Sequence, residues 1–357
     1  VSGAHAHPQT RYFALPDPFE LESGERLHGA RLAYRSWGRP AAGGDTVLVC
    51  HALSGSADVE QWWPGLIGAQ RLLDPARDFI VCSNVLGSCY GSSGPACPNP
   101  RDGLRYGRRF PALSVRDMVR AQALLLGALN ITRLDLVIGG SLGGMQALEW
   151  AVSAPRRVGA AVVIASAAQQ PAWAIAQSQV QRAAILQARE PREGLAVARM
   201  AAMCSYRHWQ QFEERFGRHR DARQFSVQSW LDAHGARFLE RFDVDSYLCL
   251  LDAMDRHDLG RGRGGVQLAL TQCPVPTLLI GIDSDLLYPP AEQRRIARLL
   301  PQGRYAELRS AYGHDGFLVE SEALSREIKR FRVRLAEQRA QSQQRGGVAR
   351  PVLPFAC

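Results

Sequence analysis

The sequence contains no apolar run long enough to span a bilayer, so no membrane partner is expected. It has eight cysteines (Cys50, Cys82, Cys89, Cys97, Cys204, Cys249, Cys273 and Cys357), but no C-x-x-C pair and no second ligand at zinc spacing. That scatter argues against a disulfide framework or a metal site and for reduced thiols. Val1–Pro8 lacks a basic region followed by an apolar stretch, so no secretory signal is expected and the cytoplasm is the expected location. No base-reading motif accompanies the net charge of +9, so nucleic acid is not an expected partner. Of that charge, +6 comes from Arg326–Cys357, which carries eight basic and two acidic residues. Such a tail reads as a solvated helix end running into disorder. No internal repeat is visible.

What remains is an ordinary globular composition, 46% apolar and 22% charged, over 357 residues. That length suits one large domain, or one domain with a sizeable insertion. Short apolar runs at Thr46–Cys50, Phe79–Ser83, Leu134–Ile138, Ala160–Ile164 and Val275–Ile280 read as buried strands. Helical patterns lie between them, notably Val115–Leu129 and Met145–Ser153. Strands alternating with helices predict a mostly parallel sheet covered on both faces. Arg31–Gly38 reads as an antiparallel edge strand ahead of the parallel set. The alternation stops between about Gln170 and Leu270, where helix-compatible sequence rich in Ala, Arg and Gln predicts a helical lid.

The sharpest motif is Gly139-Gly140-Ser141-Leu142-Gly143-Gly144, a G-x-S-x-G between a strand and a helix. In that context the serine sits on a strained turn with its hydroxyl raised above the sheet, as in the α/β-hydrolase fold. Ser141 is therefore the candidate nucleophile, and the N–H of Leu142 a candidate oxyanion donor. The loop His51–Ser56 directly follows an early strand, where this fold supplies its second donor, and Leu53 N–H is the candidate. His51, at a strand end and out of triad order, reads as structural. In this fold the acid and then the base follow the nucleophile in the chain. His314, in a glycine-flanked loop after the last strand-like segment Arg304–Leu308, is the candidate base. Asp283 and Asp285 both follow the strand Val275–Ile280 and compete as its orienting acid. The segments then divide into an α/β-hydrolase core at 10–169 and 271–337, a helical lid insertion at 170–270 and a disordered tail at 338–357.

With these residues placed, the chain resembles the homoserine O-acetyltransferase family from about Tyr12 to Leu335. The matching stretches are Cys50–Ser56 (CHALSGS), Asn84–Pro95 (NVLGSCYGSSGP), Gly139–Trp150 (GGSLGGMQALEW), Arg241–Asp243, Ala253–Asp258, Ser284–Pro289 (SDLLYP) and Gly313–Leu318 (GHDGFL). The resemblance favours Asp285 over Asp283 as the acid. It also implies that Arg199 and Tyr206, seven residues apart and on one helix face, line the acceptor site. Arg199 would hold an amino-acid carboxylate, Asp315 its ammonium group, and Ser54 would keep the hydroxyl of the family's threonine. The implied reaction moves an acetyl group from acetyl-CoA, a co-substrate, to the hydroxyl of L-homoserine through an acyl-serine, in methionine biosynthesis. No bound cofactor is implied, and a homodimer through the lid helices is. Departures at Leu142, Ser88, Gly316 and the short segment Leu186–Gly194 bear on substrate detail. They leave open a succinyl donor or a serine acceptor. An esterase would share the triad, and a non-catalytic binding protein could share the scaffold.

Overall fold

The computed structural model describes residues 7–40 and 44–346. Its elements run β1 Arg11–Ala14, β2 Phe19–Glu20, β3 Arg26–Leu27, β4 Arg31–Trp37, β5 Thr46–Cys50, α1 Val59–Trp62, β6 Phe79–Ser83 and α2 Val115–Ala128. These are followed by β7 Leu136–Gly140, α3 Leu142–Ser153, β8 Ala161–Ile164, α4 Ala172–Gln187, α5 Pro191–Tyr206, α6 Trp209–Phe216, α7 Ser226–Leu239 and α8 Val244–Asp255. The chain closes with α9 Val266–Thr271, β9 Thr277–Ile282, α10 Pro290–Leu299, β10 Gly303–Leu308, α11 Gly316–Val319 and α12 Ser321–Gly346.

Eight strands form one sheet in the order β1-β4-β6-β5-β7-β8-β9-β10. β1 and β4 pair antiparallel, β4 and β6 antiparallel, and every later pair is parallel. Alternate side chains of the central strands feed two separate cores. Leu48, Val81, Val137, Val163 and Leu279 face one, while Val49, Ile80, Ile138, Val162 and Ile280 face the other. Each such side chain contributes about 1.5–3 kcal/mol on burial, and a one-residue slip would exchange the two faces.

The central strands run parallel, so their carboxyl ends gather at one edge. Cys50 pairs with Gly139, Gly140 with Ile164, and Ile164 with Ile280. Loops leaving this edge carry His51–Ser56, Ser141, Asp285 and His314. Open α/β sheets place ligands at this edge.

Helices α4 to α8 are inserted between β8 and β9, in the stretch where a helical lid is expected. Three differences from the sequence expectation stand out. Arg31–Trp37 is antiparallel as expected, but β1 covers it, so it is not the edge. β9 starts at Thr277 rather than Val275, because Pro274 and Pro276 lack the N–H a ladder needs. The disordered tail expected from 338 does not begin there. α12 continues to Gly346, and residues 347–357 lie outside the described residues. No helix of the described residues is long and apolar enough to cross a membrane.

Candidate active site

Ser141 ends β7 and caps α3 with φ +56° and ψ −125°, a strained conformation for a residue with a side chain. Its N–H donates to Ile164 O at 2.9 Å, and its carbonyl accepts from Ser166 Oγ at 2.7 Å. Gly143, two residues on, is also required. A Cβ there would lie 2.1 Å from Cys50 O, so only glycine lets α3 start against β5. A buried chain of amides holds the helix in place. Trp150 Nε1 donates to Gln122 Oε1 at 2.8 Å and Gln122 Nε2 to Gln146 Oε1 at 2.8 Å. Gln146 Nε2 in turn donates to the carbonyls of Leu142 and His51, both at 3.2 Å. The nucleophile's helix and the loop after β5 are thus tied by one network.

The acid and base meet as the triad order expects. His314 Nδ1 lies 2.8 Å from Asp285 Oδ2, with both side chains buried. Asp285 Oδ1 accepts from Leu287 N at 2.8 Å and Tyr288 N at 3.0 Å, so its carboxylate is fixed before the histidine is considered. Asp283, the competing aspartate, instead accepts from Ser310 N at 2.9 Å in a turn role. The imidazole is surrounded by the rings of Tyr206, Tyr288 and Phe317, with centroids 5.5, 5.5 and 5.6 Å away. Burial pulls the His314 pKa down. The charge and hydrogen bond of Asp285, helped by the charge of Asp315, more than reverse this, so the net shift is upward from 6.5. Gly313, at φ +62°, lets the base loop pass under the lid, because a Cβ there would lie 2.6 Å from Tyr206 O.

Ser141 and His314 line one cavity of about 460 Å³, which also takes in Leu53, Ser54, Arg199, Tyr206, Asp315 and Phe317. The Nε2 edge of the imidazole, free of Asp285, is the one left for the serine. A Ser141–His314 hydrogen bond is not formed in this structure, and such bonds often tighten only when substrate binds. The turn Ala52–Gly55 is closed by Gly55 N–H donating to Ala52 O at 2.9 Å. Among the described residues, neither Leu53 N–H nor Leu142 N–H is donated to a protein acceptor. Unclaimed N–H groups beside a nucleophile are what an oxyanion needs.

Arg199 is half-buried and has no carboxylate partner among the described residues. Its guanidinium lies 4.9 Å from the Phe238 ring centroid and 5.7 Å from that of Tyr206. Asp315 is already engaged. Arg207 Nε stands 3.0 Å from its Oδ2, out of line for a hydrogen bond, so the pair is held mainly by charge. His51 is structural as expected. Its Nδ1 faces Ala52 O at 2.8 Å, its Nε2 accepts from Val85 N at 3.1 Å, and burial lowers its pKa to about 4 despite the Ala52 bond. Tyr90 and Arg241 also line the cavity, and sequence reasoning gave neither a role. Their only sequence signal is membership of two stretches that match the resembled family. No group of three or more possible metal ligands occurs among the described residues.

A parallel sheet with a serine on a strand-to-helix turn, facing a buried histidine–aspartate pair, is the arrangement of the α/β-hydrolase class. The family model described as "alpha/beta hydrolase fold" matches residues 45–321. The homoserine O-acetyltransferase of Trichormus variabilis is 48% identical over 342 residues, covering 92% of this chain and 95% of its own. Among solved structures, a homoserine O-acetyltransferase from Staphylococcus aureus is 30% identical at a TM-score of 0.78, covering 90% of this chain and 94% of its own. Esterase E22 is 24% identical at a TM-score of 0.83, covering 90% of this chain and 99% of its own, a likeness of fold alone. The chain belongs to the homoserine O-acetyltransferase family.

Proposed function

We infer that this enzyme transfers an acetyl group from acetyl-CoA to the hydroxyl of L-homoserine, giving O-acetyl-L-homoserine for methionine biosynthesis. The observation that carries this reading is His314, paired with the buried Asp285 and sharing a cavity with Ser141 and with Arg199, which has no carboxylate partner among the described residues. In the first half-reaction His314 Nε2 takes the proton of Ser141 Oγ as the oxygen attacks the thioester carbonyl. Leu53 N–H and Leu142 N–H stabilise the tetrahedral oxyanion. The carbon–sulfur bond breaks, CoA leaves as the thiol with the proton from His314, and acetyl-Ser141 remains. In the second half-reaction His314 deprotonates the homoserine hydroxyl, which attacks the ester. The proton then returns to Ser141 as product leaves.

Arg199 would bind the acceptor's carboxylate in a charge-assisted fork. Asp315 would bind its ammonium, a role it can share with its pairing to Arg207. Ser54 adds a hydroxyl on the same wall, and Tyr206 backs the imidazole. The acceptor must outcompete water, so holding both of its charges would orient the hydroxyl while the lid limits water entry.

An esterase reading has the fold likeness to esterase E22 in its favour. A cationic side chain with no carboxylate partner beside the nucleophile favours a zwitterionic acceptor instead. A four-way assay tests both the donor and the acceptor: acetyl-CoA and succinyl-CoA, each with homoserine and with serine. The reading expects acetyl-CoA with homoserine to dominate. Equal consumption of acetyl-CoA with and without any amino acid would reject it. The seven described cysteines are all free thiols, which supports a reducing compartment, and we place the enzyme in the cytoplasm as a homodimer. The exposed apolar residues Trp173, Val180 and Leu186 on α4 and Val197 on α5 support a contact through the lid. Sedimentation measures it directly.

A further inference from the structure

Arg241 lies in the short link between α7 and α8, far from Leu53 in sequence. It nevertheless reaches the turn that carries Leu53. Its Nη1 donates to Ser54 O at 2.8 Å and to Tyr90 Oη at 2.7 Å. The Tyr90 end is itself anchored, because Asn84 Nδ2 donates to Tyr90 O at 2.7 Å while Asn84 Oδ1 accepts from Ala57 N at 2.8 Å. Among the described residues, the Arg241–Ser54 bond is the hydrogen bond that joins the inserted helices to this turn. The turn's own closure, Gly55 N to Ala52 O, leaves Leu53 as its first central residue, whose N–H points outward. That closure holds the N–H end of the exit peptide and leaves its carbonyl end, Ser54 O, to a partner outside the turn. The guanidinium supplies that partner, so the peptide is held at both ends and the turn's tilt is set from the inserted helices. Arg241 also lies 5.0 Å from the Phe238 ring centroid, the same ring that Arg199 covers at 4.9 Å.

The geometry points to Arg241 as a positioning residue of the transfer reaction, one that holds the Leu53 N–H at the oxyanion from the lid side. This rests on the acyl-serine reading above. Arg241 touches neither reacting atom. It acts through the Ser54 carbonyl, so loosening it moves a donor rather than removing one. Both half-reactions pass through a tetrahedral oxyanion, so both slow together, whereas loss of a group that binds the acceptor slows only the second.

The test is rapid measurement of CoA release from acetyl-CoA without acceptor, in Arg241→Met, Leu53→Pro and the double variant. Proline removes the Leu53 N–H and is favoured at that turn position. Leu53→Pro is expected to slow acylation about 100-fold or more, as loss of one oxyanion donor does. Arg241→Met is expected to slow it by up to about 100-fold, the cost of a misplaced group, with burst amplitude and melting temperature kept. The double variant is expected to be no slower than Leu53→Pro alone, because two changes acting through one group do not multiply. Arg241→Lys is expected to restore part of the rate. Should Arg241→Met fail to fold, Tyr90→Phe, which removes the phenol that steadies the guanidinium, reads the same quantity. It is expected to slow acylation in the parent and not in Leu53→Pro. Multiplying effects in the double variant would overturn the assignment, as would an Arg241 effect confined to the homoserine KM. A parent enzyme with no burst, or a Leu53→Pro variant with unchanged acylation, would instead reject the underlying acyl-serine and oxyanion reading.

Discussion

Asp285 Oδ2 stands 2.8 Å from His314 Nδ1, and the other oxygen of the same carboxylate is spent on two backbone N–H groups. The aspartate therefore has one free direction, and the histidine occupies it. His314 can act as a base only when neutral, and its pKa is raised above 6.5. Activity should rise with pH, with a midpoint above pH 6.5. Asp285→Asn removes the attraction that opposes burial, so the midpoint should move down while the plateau kcat falls about 10⁴-fold, the cost of losing the orienting carboxylate. A kcat/KM–pH profile of both enzymes checks this. The same raised pKa adds stability that is complete below pH 6.5 and is lost as pH rises through the folded value. A midpoint unchanged in Asp285→Asn would mean the pair is not what sets the base.

Arg199→Ala should leave CoA release in the absence of acceptor untouched and raise the homoserine KM. A charge-assisted hydrogen bond is worth about 1.5–3 kcal/mol, or about 10- to 150-fold. Steady-state kinetics with homoserine varied, paired with the burst measurement, separates the two halves of the reaction. A slowed burst with an unchanged homoserine KM would place Arg199 on the donor side instead.

Gly143→Ala should be destabilised by at least about 2 kcal/mol, because the added carbon meets Cys50 O at 2.1 Å and neither backbone can retreat. Chemical denaturation is the measurement. A variant as stable as the parent would show that α3 can shift away from β5.

Glu149, on the far side of α3, is a stability element remote from the chemistry. It is buried and accepts from Arg263 Nη1 at 2.9 Å and Arg116 Nε at 3.1 Å. Burial raises its pKa, but the bonds from Arg263 and Ser153 and the charges of Arg263 and Arg116 win, and the net shift is below 4.5. Glu149→Gln should cost about 3 kcal/mol at neutral pH, since it leaves buried cationic edges unpaired. The parent's advantage is present above pH 4.5 and fades as pH falls through the folded pKa, so the two denaturation curves should converge in acid. Parallel curves down to low pH would contradict this.

Much of the site was legible in the sequence because its parts are local. The G-x-S-x-G turn, the CHALSGS loop and the glycine-flanked His314 each stand directly after a strand. A buried strand of a parallel sheet is a short unbroken apolar run that shows without alignment. Boundaries drifted where physics was subtler. Leu134 makes only an isolated bridge, so β7 begins at Leu136. β1 went unread because four residues, Arg11–Ala14, are too short a run to show a period, and three of them are exposed. The choice between Asp283 and Asp285 needed the family resemblance, since both follow the same strand. Tyr90 and Arg241 were given no role, and the Arg207–Asp315 pair was not foreseen. These contacts join residues 151 and 108 positions apart, and no local pattern encodes them.

Whether the acetyl group rests on Ser141 between donor and acceptor is decided by the intact mass of the enzyme mixed with acetyl-CoA alone, followed by peptide mapping and a homoserine chase. The expected result is one added acetyl group on Ser141, absent in Ser141→Ala and removed by homoserine as O-acetylhomoserine forms. An unmodified enzyme that releases CoA only when homoserine is also present, or an Ser141→Ala variant that still turns over at the parent rate, would contradict it.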